Sequence, residues 1–86
     1  MMETKNFRNA DEMVNEVYKQ LPEAVIYFMR DGELMSAVCK RDWEEIEHLD
    51  KNLKDLCKQY KPPKDFEMYM DRSLGTTVYI RLEERI

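Results

Sequence analysis

The sequence predicts a small mixed α+β domain with the element order αββαββ. Three observations predict it: helical spacing of apolar residues before Pro22 and over residues 42–60, β-rich segments flanking Asp31-Gly32, and strict alternation within residues 65–83. Such elements are most simply built as a four-stranded antiparallel sheet with both helices on one face. A chain of 86 residues has room for one core, so we predict a single domain over residues 1–86.

The first helix is expected to begin at Asn9, whose side chain can cap it while Glu12 completes a capping-box pattern. Pro22 ends the helix. The predicted buried face consists of Ala10, Met13, Val14, Val17 and Leu21. An alternative is that Lys5 to Phe7 form a strand before it, which gives a ferredoxin-like βαββαβ order with one extra C-terminal strand.

The first hairpin turns at Asp31-Gly32, a pair suited to a type I′ turn. With a two-residue loop, Arg30 pairs with Glu33 and Phe28 with Met35. One face then carries Ala24, Ile26, Phe28, Met35, Ala37 and Cys39. The other face carries Val25, Tyr27, Met29, Leu34, Ser36 and Val38. Both faces are largely apolar, so we expect one under the helices and one left open. A three-residue loop with a bulge is the alternative, and it would shift the register without changing the apolar character of both faces.

The second helix is predicted to run from Asp42 to Tyr60, followed by a half-buried hairpin. Residues 71–75 form the hairpin loop, with Gly75 at a position of positive φ. The predicted buried stripe of the helix consists of Ile46, Leu49, Leu53, Leu56, Cys57 and Tyr60.

The charge along the second helix is segregated. Residues 41–50 hold five acids and one Arg, whereas residues 51–64 hold five lysines against one Asp. This order complements the helix macrodipole and allows the pairs Glu47–Lys51 and Asp50–Lys54. The net charge of −4 disfavours a nucleic-acid binder, which needs a cationic surface.

Residues able to carry out chemistry do not occur in a recognisable pattern. Glu45 and His48 form one Glu-x-x-His motif, whereas carboxylate-bridged di-iron sites need two such motifs and further glutamates. Cys39 and Cys57 form no C-x-x-C motif and are expected to fill the core. We therefore predict a non-enzyme with no catalytic residues, no metal and no cofactor.

Two surfaces are candidates for binding another protein. The open sheet face is expected to present Tyr27, Tyr69 and Tyr79, and tyrosine is enriched at interfaces. The start of the second helix forms an acidic patch with an aromatic anchor: Trp43, Glu44, Glu45, Glu47 and Asp50. The alternative for Trp43 is a core position. These features predict a small acidic inhibitor that binds a partner with a basic surface stoichiometrically, as antitoxins, immunity proteins and phage anti-defence proteins do.

Two other functions compete with this prediction. A homodimeric structural or sensory module would pair two open sheet faces or two first-hairpin edges across a twofold axis. RNA binding by an aromatic sheet would need interleaved basic residues, and only Arg81 with Arg30 or Arg41 is available. The longest apolar run is residues 24–29, and the first residues lack the apolar stretch of a signal peptide. Two cysteines fit a reducing compartment, so we expect a cytoplasmic protein without membrane contact.

Overall fold

A computed structural model of the chain describes residues 7–61, 67–71 and 75–82, and it forms a mixed α+β domain as predicted. The elements in chain order are α1 (Ala10–Gln20), β1 (Val25–Arg30), β2 (Glu33–Cys39), α2 (Lys40–Glu44), α3 (Ile46–Leu49), α4 (Lys51–Gln59), β3 (Glu67–Asp71) and β4 (Gly75–Arg81). Phe7 belongs to no strand, and Lys5 lies outside the described residues, so the ferredoxin-like alternative gains no first strand from Phe7.

The sheet has the strand order β2-β1-β4-β3. Strands β1 and β2 pair antiparallel, as do β3 and β4, but β1 and β4 pair parallel at the centre with Tyr27 opposite Tyr79. The predicted all-antiparallel sheet is therefore wrong at its centre. After β2 the chain crosses through three helices to the far edge and returns as β4 in the direction of β1. A parallel pair needs such a crossover.

The first hairpin has the predicted turn but a shifted register. Asp31 and Gly32 have φ of 53° and 79°, as a type I′ turn requires, and Arg30 pairs with Glu33. A bulge then places Met29 opposite Leu34 and Phe28 opposite Ser36, so the predicted pairing of Phe28 with Met35 is wrong. The bulge shifts the register of β2 by one residue, so each β2 side chain after the bulge lies on the face opposite to the predicted one. The buried face therefore contains Val38, and the opposite face contains Ala37 and Cys39.

The predicted second helix is broken into three short helices. Asp50 leaves the helical conformation with φ −154° and ψ 79°, and its carboxylate accepts a hydrogen bond from the Leu53 amide at 3.1 Å, which caps α4. The break changes the direction of the preceding turn. Leu49 is consequently 59% exposed, and its predicted place in the buried stripe is wrong.

Helices and sheet share one hydrophobic core. Its buried members include Met13, Val14, Val17, Ile26, Phe28, Val38, Ile46, Leu53, Cys57, Val78 and Ile80. Asn9 caps α1 as predicted by accepting from the Glu12 amide at 3.0 Å, and the Tyr18 hydroxyl donates to the Val38 carbonyl. The Asn9 cap stabilises the start of α1, and the Tyr18 hydrogen bond fixes α1 against β2.

The two cysteines lie in different surroundings. Cys57 is fully buried, and this burial raises the pKa of its thiol to about 12, so it is a core residue as predicted. Cys39 is half-buried and pairs in register with Val25 on the face opposite the main core. Its predicted core position is wrong because of the bulge in β2.

Leu53 and Leu49 form a matched pair for testing the helix break. Leu53→Ala is expected to lower the free energy of unfolding by about 2–5 kcal/mol, because the side chain is 2% exposed in the core. Leu49→Ala is expected to change it by less than about 0.5 kcal/mol. Urea titrations followed by circular dichroism measure both values. Equal losses in the two variants would contradict the break at Asp50.

Gly32 tests the turn. Its φ of +79° is disfavoured for residues with a Cβ atom, and no atom lies within 4 Å of the position that a Cβ would occupy, so backbone strain alone decides the effect. Gly32→Val is expected to cost about 1–2 kcal/mol of stability. Gly32→Asn is the control, because asparagine tolerates this conformation and should cost less. Equal denaturation midpoints for the two variants would contradict the type I′ turn.

Candidate protein-binding surfaces

One face of the two central strands carries half-buried side chains. Its residues alternate along β1 and β4 with the buried core residues, and they are Val25, Tyr27, Met29, Thr77 and Tyr79. We call this set the open face. Its centre is Tyr27 against Tyr79, which are direct partners in the parallel ladder. Their ring centroids lie 5.1 Å apart at an interplanar angle of 78°, a favourable edge-to-face contact.

Neighbouring strands extend the open face on both sides. On β2, Ala37 pairs with Tyr27 and is exposed. On β3, the backbone register puts Tyr69 opposite Thr77, so Tyr69 occupies a position of the open face. The side chain of Tyr69 lies outside what the structure describes. Of the three predicted tyrosines, the structure therefore brings Tyr27 and Tyr79 into contact.

The residues of the predicted acidic patch differ in their surroundings: some are exposed to solvent and one has a structural role. Glu44, Glu45 and Glu47 are exposed, whereas Asp50 is only partly exposed and caps α4. Glu44 lies 3.9 Å from the Lys40 ammonium. Three exposed carboxylates therefore remain near the junction of α2 and α3.

The lysines that follow the acidic patch do not make the predicted ion pairs. Lys51 Nζ lies 2.9 Å from a carboxylate oxygen of Asp55 and forms its ion pair there. Glu47 lies instead 3.6 Å from Lys58. Lys54 pairs with Asp11 of α1, not with Asp50. The break at Asp50 changes the rotation of α4, so spacings that assume one continuous helix do not apply.

Trp43 is a core residue, which corrects its predicted role as an exposed anchor. It is 5% exposed and stacks on Phe28 at 5.9 Å between ring centroids. Its indole Nε1 donates to the Asn15 side-chain oxygen at 2.8 Å, and the Lys54 ammonium lies 4.7 Å from the ring centroid. A partner could reach this ring only if the helices separated, so Trp43 is left out of the binding surfaces.

Lys54 and Asp11 form an ion pair that the sequence does not predict. Their side chains are 14% and 16% exposed, and they join α4 to α1 across 43 positions of the chain. The same two helices are joined at the end of α4, where the Ala10 amide donates to the Tyr60 carbonyl at 2.9 Å and Asn9 Nδ2 to the Lys58 carbonyl at 3.3 Å. Of the residues in these contacts, the sequence pattern identified only Asn9, as the cap of α1.

The described residues were also compared with the requirements of a metal site and of a membrane-spanning helix. Among them, no group of three or more His, Cys, Asp or Glu side chains is placed to hold a metal ion, and His48 is exposed on α3. No helix within these ranges has the length and apolar character to cross a bilayer.

A comparison of the chain with protein-family models, curated proteins and solved structures finds no match. Function is therefore inferred from the surfaces described above.

A double-mutant cycle tests the ion pair between α4 and α1. Lys54→Ala and Asp11→Ala are each expected to destabilise the fold, with a coupling of about 1 kcal/mol, because both side chains are largely shielded from water. The control is the exposed pair Lys51–Asp55, whose coupling should be close to zero. Unfolding free energies from urea titration supply all terms. If the two cycles give equal coupling energies, the Lys54–Asp11 pair does not hold α4 against α1.

Proposed function

We propose that the domain acts by stoichiometric binding of another protein through the open face. We further propose the arrangement that this function needs: four strands, with both the helices and the main core on one face and the binding residues on the other. The observation that carries the proposal is the pair Tyr27 and Tyr79, two touching rings at the middle of the central strands that stay partly accessible.

The chemistry of the open face suits a protein partner. Tyrosine offers a large apolar ring and a polar hydroxyl, and it loses little conformational freedom on binding. The edge-to-face contact restrains both rings before binding, which lowers the entropy cost of association. Val25 and Met29 add apolar area beside Tyr27 on the same strand. Apolar centres with rigid aromatic residues are typical of the parts of an interface that contribute most affinity.

A second candidate is inhibition of a partner with a basic surface, such as an enzyme that binds nucleic acid. The observation in its favour is the exposure of the Glu44 and Glu47 side chains, 64% and 65%, with Glu45 exposed between them. Their lysine partners at 3.9 and 3.6 Å are themselves about half exposed, so these contacts are weak and the carboxylates stay available. Clustered carboxylates speed association with a cationic partner by electrostatic steering.

Mutants of the two surfaces, used against one isolated partner, test both candidates. The partner is recovered from its native host with the tagged domain after nuclease treatment, and its dissociation constant is then measured by surface plasmon resonance. Tyr27→Ala/Tyr79→Ala should weaken binding at least about tenfold, mainly through faster dissociation. The matched control is Glu23→Gln, an exposed residue outside both surfaces, which should bind like the parent.

The acidic surface gives a different kinetic result. Glu44→Gln/Glu45→Gln/Glu47→Gln should slow association and flatten its salt dependence only if these carboxylates meet a basic partner. Circular dichroism must first show that each variant is folded. If the folded tyrosine variant binds like the parent, the open face is not the binding surface. If the complex is lost on nuclease treatment, the ligand is nucleic acid and the proposal fails.

A further inference from the structure

We draw no further inference here: the strongest candidate, the outer edge of strand β2 with the exposed side chains of Leu34 and Met35, carries none because nothing in the described part of the structure shows what covers this edge.

Discussion

The packing of the fold depends on the indole ring of Trp43. This one side chain stacks on Phe28 of β1, donates to Asn15 of α1 and lies beneath the Lys54 ammonium of α4. Helix α2, which carries it, has only five residues and is too short to be stable alone. Its position therefore follows from the contacts of Trp43. Lys54 also binds Asp11, so the same group of side chains joins α4 to α1.

The central parallel pair determines what the sheet can present. Because the crossover through α2, α3 and α4 delivers the chain to the far edge, β1 and β4 become neighbours in the same direction. Tyr27 and Tyr79 then meet as register partners, a contact that neither hairpin makes on its own. The amide of Leu82 continues the ladder by donating to the Met29 carbonyl at 2.8 Å. The candidate binding surface is thus a product of long-range topology.

Local chemistry made part of this fold predictable. The cap at Asn9 and the positive φ of Gly32 and Gly75 follow from side-chain preferences that act within a few residues. The sequence could not select the bulged register over the regular one, because both faces of the first hairpin are apolar and the alternation does not distinguish the registers. The break at Asp50 was missed because apolar residues keep helical spacing across it, from Ile46 to Leu53.

The functional surfaces were predictable to different degrees. The pairing of β1 with β4 depends on contacts about fifty residues apart, so sequence could name Tyr27 and Tyr79 but not place them in contact. The burial of Trp43 depends on Asn15, Phe28 and Lys54, which come from three different elements. Exposure of Glu44, Glu45 and Glu47 agrees with a polar helix surface, and this agreement does not identify a partner.

Binding through the open face requires that the rings of Tyr27 and Tyr79 are accessible to solvent. Solvent paramagnetic relaxation, measured by NMR on the ring protons with a soluble gadolinium chelate, tests this directly. The buried tyrosines of the core provide the reference for this measurement. We predict clear enhancement for Tyr27 and Tyr79 in dilute protein, and almost none for Tyr18 and Tyr60, which are 2% and 3% exposed. Equal protection of all four rings would contradict this prediction, because the open face would then be covered.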